Sequence, residues 1–414
     1  MARILYLHQH FSTPEGSAAT RSHALARALA QRGHEVTLAC GQWQGAETGL
    51  GGPFRLGARQ GRVSGFEVVE FAIPCANAMG LGQRGLAFIR YAMRATALAL
   101  RPGWDLVIAS STPPTVAMPA LAARHLRGTP FLFEIRDPWP ELPAAMGLRA
   151  PLALRAMRQL SALACRGAAG VVALTEGMGR IALAHGTARR ALHVIGQGCD
   201  LDLFGPQVAP WRPPQAASHE VLAVYAGAHG RANGLGLLLD AAARLRAAGE
   251  RRVRLVLVGE GSEKPALMAD AAARGLTNLT FLDPLPKRDL AGLLAGSQAG
   301  LLCLAPVPEF AEWTAPNKLM DYLAAGLPVL SNVPGEAERL LAEGCGVTAR
   351  DAGAMAAALA RLATHPTERE AMGWEGRVLA VRRFDRRLLA RRFVAAAEAA
   401  LHPRAAALPR PVRV

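Results

Sequence analysis

Lys318 and Asp321 stand three residues apart in APNKLMDYLAAG (315–326), a run that reads as the first turns of a helix. A helix start leaves N–H groups without intrahelical partners and carries the positive end of the dipole, so Lys318 there suits a phosphate. Asp321 at i+3 suits the hydroxyls of a sugar or ribose; alternatively the two form a surface ion pair worth under about 0.5 kcal/mol. Pro316 and Asn317 are expected to precede the helix, Pro suiting its first turn and Asn its cap. Upstream, VYAGAHGRANGLG (224–236) places Gly227 and Gly230 after an apolar run, where a backbone can approach a ligand closely. Arg231 follows them and is a second candidate for a diphosphate. VLVGEGSEKPAL (256–267) repeats the order of apolar run, glycine turn and helix.

Two further stretches lie nearer the N-terminus. FEIRDPWPE (133–141) sets Arg136 and Asp137 directly after an apolar run. Arg136 could counter phosphate charge and Asp137 could orient a substrate hydroxyl; a structural Arg136–Asp137 pair holding the loop is the alternative. HQHFSTPEGSAATR (8–21) brings Gly16, Ser17 and Ala18 to an expected helix start, where their N–H groups could meet a phosphate or sugar oxygen or only cap the helix. The loop is too long for a GxGxxG turn, and that fingerprint is absent, which argues against a dinucleotide-dependent dehydrogenase.

These residues need elements to hold them. Short apolar runs (RILYLHQ, HEVTLAC, FEVVEFAI, DLVIASS, PFLFEIRD, GVVALT) alternate with helical patterns, the first over about 17–32. The series restarts at EVLAVYAGA, with helices expected near 233–248 and 262–274. Such alternation predicts parallel sheets covered on both faces. The expected organisation is two doubly wound α/β domains, 1–204 and 218–383, facing an inter-domain cleft and joined by a Pro-rich linker over 205–217. A helix over 384–402 is expected to cross back to the first domain, with a basic, disordered tail over 403–414.

The chain has 414 residues, ample for two cores, and a formal net charge of +15. That charge is either compositional or a face for an anionic partner. No nucleic-acid recognition motif appears, so nucleic acid is not expected. Six scattered cysteines lack metal spacing, so no zinc site is expected and a reducing, cytoplasmic setting is. The N-terminus does not read as a signal peptide and no run is long enough to span a membrane. The stretch 84–101, basic and amphipathic, reads as a core helix, a helix contacting an anionic membrane, or both on different faces.

Taken in order, ILYLHQHFSTPEGSAATR, GHEVTL, IASSTPP, EIRDPWPE, VYAGAHGRANG, LVGEGSEK and PNKLMDYLAAGLPV resemble the family 4 retaining glycosyltransferases of GT-B fold. The resemblance is greatest to the branch described as colanic-acid or amino-fucose transferase-like, in bacterial polysaccharide assembly. It implies transfer of a sugar from a nucleotide-diphosphate donor to a glycan or lipid-diphosphate-linked acceptor, with retained configuration and no metal or other cofactor. Arg231 and Lys318, with Gly16, Ser17 and Gly230, would contact the donor diphosphate. Asp321 takes the place of a Glu that binds the donor ribose. The family's second Glu falls at Trp313, and the adjacent Glu312 is its candidate substitute. Arg136 and Asp137 fall near the pair beside the reacting carbon. A nucleotide-sugar epimerase of the same fold and a non-catalytic nucleotide-sugar-binding partner are the alternatives.

Overall fold

A computed structural model describes residues 1–76 and 79–402, so the expected basic tail 403–414 lies outside the described residues. The chain forms two compact units. Met1–Thr13, Ala19–Gly196 and the residues from Leu389 onward make unit 1; Pro14–Ala18 and Gln197–Leu388 make unit 2.

Unit 1 is built on eight strands: β1 (Arg3–Leu7), β2 (Glu35–Trp43), β3 (Ala58–Val63), β4 (Phe66–Cys75), β5 (Leu106–Ser110), β6 (Phe131–Ile135), β7 (Gly170–Ala173) and β8 (Leu192–Val194). Their order is β3-β4-β2-β1-β5-β6-β7-β8. Every pairing is parallel except β3 with β4. Ser64 and Gly65, both at positive φ, close that hairpin, as a two-residue turn matching strand twist requires. The antiparallel edge strand β3 departs from the purely parallel sheet expected. The central strands read LVIAS and FLFEI and are buried throughout because helices cover both faces. The helices of unit 1 are α1 (Arg21–Gln31), α2 (Leu81–Ala99), α3 (Ala117–Arg127), α4 (Glu141–Ala145), α5 (Pro151–Gly167) and α6 (Glu176–Ala184).

Unit 2 carries β9 (Val221–Ala226), β10 (Val253–Val258), β11 (Leu279–Leu282), β12 (Ala299–Leu302), β13 (Val329–Ser331) and β14 (Gly346–Thr348). Their order is β11-β10-β9-β12-β13-β14, all parallel. This is the doubly wound order in which the winding reverses between the first and fourth strands, here β9 and β12. Ligands in such sheets bind outside the carboxyl ends at that point. The helices that matter below are α7 (Gly236–Ala247), α8 (Lys264–Ala273), α9 (Lys287–Ala295), α10 (Phe310–Trp313) and α11 (Asn317–Ala324). The Pro-rich stretch 205–217 packs on unit 2, with the Trp211 amide donating to the Gly292 carbonyl at 2.8 Å.

The last helix, Arg386–Leu401, starts in unit 2, but from Leu389 it belongs to unit 1. Phe393, Val394 and Ala397 join Ile4, Tyr6 and Leu38 in one core cluster, and the Tyr6 and Phe393 rings stack at 6.2 Å.

Candidate functional site

In unit 2, β9 ends on Tyr225 and Ala226, and the chain passes through Gly227 and His229 to Arg231. A short 3-10 turn, Arg231–Asn233, precedes α7, so the helix expected near 233 begins at Gly236. Gly259 and Gly261, after β10, bring the neighbouring loop against this one. A Cβ at Gly259 would land 1.9 Å from the Gly227 carbonyl oxygen, and one at Gly261 2.5 Å from the His229 backbone. Glycine at both positions is thus a packing requirement.

Lys318 enters this loop from α11. Its ammonium donates to Tyr225 Oη at 2.8 Å and Asn233 Oδ1 at 3.3 Å, and lies 4.0 Å from the centre of the Tyr225 ring. A Cβ at Gly227 would sit 2.8 Å from Lys318 Cε and Nζ, so Gly227 is what lets the lysine through. No carboxylate pairs with Lys318 among the described residues. Burial lowers its pKa to about 7. Asn317 is the first helical residue and Pro316 takes the cap position without a side-chain cap bond, one position earlier than the cap expected of Asn317. The first-turn N–H groups therefore keep their donor capacity. Arg231 is exposed and has no ion-pair partner among the described residues. Gly230 caps its turn in extended conformation. Together these are cations and N–H donors at the β9 edge with no ion-pair partner among the described residues, a set able to hold an anion.

Asp321 leaves α11 in another direction. It is buried and accepts from Lys287 Nζ, at the start of α9, at 2.5 Å. The Lys318–Asp321 ion pair does not form, because each side chain has a separate buried partner. Burial pushes the Asp321 carboxyl up, with Lys287 opposing. Glu312 is exposed on the four-residue α10.

In unit 1, Arg136 and Asp137 follow β6 but do not pair with each other. Arg136 Nη1 lies 2.6 Å from His8 Nε2, and Thr112 donates to Asp137 Oδ2 at 2.6 Å. His8 Nδ1 lies 3.3 Å from the Ser110 carbonyl. These two contacts fit one tautomer, with the proton on Nδ1 and Nε2 accepting from Arg136. Burial, then the Arg136 charge, hold the His8 pKa well below its usual value, which keeps the ring neutral.

Behind this lies a buried ion pair. Arg21 Nε donates to Glu134 Oε1 at 2.9 Å, and its other nitrogens donate to the Gly196 and Ile195 carbonyls at 2.6 and 3.0 Å. Ser110 donates to Glu134 Oε2 at 2.5 Å. Burial raises the Glu134 carboxyl, but Arg21, Arg136 and Ser110 outweigh it and hold it below the usual carboxylate range.

Gly16, Ser17 and Ala18 do not stand at the helix start. α1 begins at Arg21, so its free N–H groups are those of Arg21 and the next residues, while 16–18 form a bend ahead of it. Sequence reasoning passed over Tyr225, Asn233, His229, Lys287 and His8. His229 is fully buried, and burial, then the charge of Lys264, lowers its pKa to about 4.

Two family models match the chain. "Glycosyl transferase 4-like domain" covers residues 16–198 and "Glycosyl transferases group 1" covers 220–365. Sucrose-phosphate synthase from Thermosynechococcus elongatus is similar in structure at TM-score 0.72 and 16% identity, over 95% of this chain and 97% of that one. HepE from Anabaena, solved with UDP-glucose, aligns at TM-score 0.65 and 17% identity over 95% and 98%. The E. coli structure described as trehalose-6-phosphate bound with UDP-2-fluoro glucose aligns at TM-score 0.71 and 15% identity over 96% and 99%. These likenesses fix the fold as two Rossmann-like domains of GT-B type. A comparison with curated protein sequences finds no match.

Proposed function

We propose that the chain, which matches a glycosyl transferase 4-like model over 16–198 and a group 1 model over 220–365, is a glycosyltransferase that moves a sugar from a nucleotide-diphosphate donor to a glycan or lipid-diphosphate-linked acceptor with retention of configuration. The observation that carries this reading is the Lys318 ammonium, seated between Tyr225 and Asn233 at the end of β9 with no carboxylate paired to it among the described residues. As the sugar–phosphate bond breaks, negative charge gathers on the leaving nucleoside diphosphate. Lys318, Arg231 and the N–H groups at Gly230 and the start of α11 would stabilise that charge where it develops. Gly16 and Ser17 are proposed as further donors to the diphosphate.

We assign the ribose hydroxyls to Asp321, whose Oδ1 stays outside the bond to Lys287, with Glu312 as a further contact to the donor. Arg136 and Asp137 are assigned to the reacting centre, Arg136 supplying charge and Asp137 orienting a hydroxyl. No side chain is assigned as a covalent nucleophile, and neither a metal nor another cofactor is invoked. The solved neighbours that hold UDP-glucose and UDP-2-fluoro glucose support a UDP-sugar as the donor to try first. A place in cell-surface polysaccharide assembly, on the cytoplasmic side of the membrane, belongs to the same proposal and rests on the ordered motifs.

A panel of nucleotide sugars tested for protection against thermal unfolding examines the donor half. A bound donor raises Tm with concentration, and a flat response to the whole panel contradicts the proposal. Incubation with the stabilising donor alone separates transfer from epimerisation: an isomerised nucleotide sugar would replace this reading by that of an epimerase.

A further inference from the structure

Helices α2, α3 and α5 cover one face of the unit 1 sheet. Phe88, Tyr91 and Ala95 from α2, Ala120 from α3 and Ala164 from α5 share one core cluster with the strands. α2 packs beside α3, and α3 beside α5. Their outward sides therefore form one continuous surface.

Two properties set this surface apart. On α2, Leu86, Ile89 and Met93 follow helical spacing and are 49%, 50% and 68% exposed, while Leu126 at the end of α3 is 70% and Leu152 at the start of α5 is 84% exposed. A lone exposed apolar residue is ordinary; a strip of them over adjacent helices marks an interaction face. Second, the three helices carry no Asp or Glu at all. Arg90 and Arg94 on α2, Arg124 and Arg127 on α3, and Arg155 and Arg158 on α5 are all exposed.

A merely solvated face mixes both signs of charge. Apart from His125, the charged side chains of the three helices are all arginines. Arg94 and Arg127 are held by the Leu56 and Leu100 carbonyls at 2.6 and 2.9 Å, which fixes their position without neutralising them. Arg158 meets Glu141 only at 3.8 Å. Basic heads with long apolar stems beside leucine, isoleucine and methionine fit the boundary between anionic headgroups and acyl chains. Among the described residues no helix is long and apolar enough to cross a membrane, so the contact is peripheral.

We propose that the α2–α3–α5 face docks unit 1 on an anionic lipid bilayer, with the arginines at lipid phosphates and the apolar strip in the headgroup–acyl boundary. This deepens the proposed function by favouring its lipid-linked acceptor over a free glycan, and rests on it only for the choice of occupant. Vesicle binding itself needs neither donor nor transfer.

The test uses the full chain with vesicles of phosphatidylcholine alone and of phosphatidylcholine mixed with phosphatidylglycerol. The protein pellets with the anionic vesicles at low salt, stays in solution with the neutral ones, and is released as salt rises. Ile89→Glu with Met93→Glu, and separately Arg124→Glu with Arg127→Glu, lower anionic binding by on the order of tenfold or more. All four side chains are exposed, so both variants fold, and an unchanged Tm shift with UDP-sugar keeps this test apart from that of the donor site. No pelleting at low salt, equal pelleting with neutral vesicles, or unaltered binding by both variants overturns the proposal. So does a face that proves to join two copies of the chain, seen as a concentration-dependent mass that both variants abolish.

Discussion

Lys318 is the residue on which the donor site turns, and its position explains its chemistry. Seated among Tyr225, Asn233 and the glycine loop, with its pKa lowered to about 7, it is half deprotonated near neutrality. A bound diphosphate favours the charged form, so donor binding takes up a proton above that pH. UDP affinity is therefore expected to fall by up to about tenfold per pH unit above 7. Calorimetry at pH 8 in buffers of different ionisation enthalpy reads the proton uptake directly. The same shift makes the unfolded chain the tighter proton binder, so stability from this group is lost as pH falls from the unfolded value of 10.5 towards 7. Gly227→Ala tests the seat: its Cβ would displace Lys318 Cε and Nζ, and the expected result is weaker UDP binding in a chain that still folds.

The lysine was legible in the sequence, and so was the reason to look at it. Its partners were not, because Tyr225 reads as one more residue of a buried strand and Asn233 as a turn residue. One signal was there to use: the chain contains only three lysines, Lys264, Lys287 and Lys318, in a composition otherwise committed to arginine. All three are buried or partly buried in unit 2, and two of them, Lys264 and Lys287, meet carboxylates. The divergence of Lys318 and Asp321 could not be read from i+3 spacing, which gives a shared helix face and not a shared partner.

At the scale of elements, the Arg21–Glu134 pair ties the start of α1 to the end of β6 and to the chain at Ile195 and Gly196. Removing one partner leaves a buried charge, which costs about 3–5 kcal/mol. Glu134→Gln is expected to lose stability of that order in denaturant unfolding at pH 7. Glu134 is held below its ordinary range, so its stabilisation is present above the unfolded pKa of 4.5 and lost as pH falls through the lower folded value. The variant should therefore show a flatter acid limb than the wild type when Tm is followed from pH 6 downward. Asp321→Ala is expected to cost a similar amount by stranding Lys287.

Strand–helix alternation made the parallel sheets readable, since each central strand is a short run of apolar residues. The β3–β4 hairpin was passed over because ARQGRV is polar and its pattern is that of an exposed edge. The Ser64–Gly65 turn marks it. A run of small residues reads as helix from about 17, four residues before α1 begins, while Thr20 takes the cap position.

At the scale of the molecule, two sheets of the same winding each hold charged side chains at their carboxyl ends. Unit 2 holds Lys318 and Arg231; unit 1 holds Arg136 beside a neutral His8. The assignment of a nucleotide-diphosphate donor to unit 2 is the central claim. It is tested most directly by calorimetric titration of UDP into the wild-type chain and into Lys318→Ala, both checked as folded by circular dichroism. The expected result is saturable binding with proton uptake at pH 8 for the wild type, and a loss of affinity of on the order of a hundredfold for the variant. Equal affinity in the two proteins would contradict it.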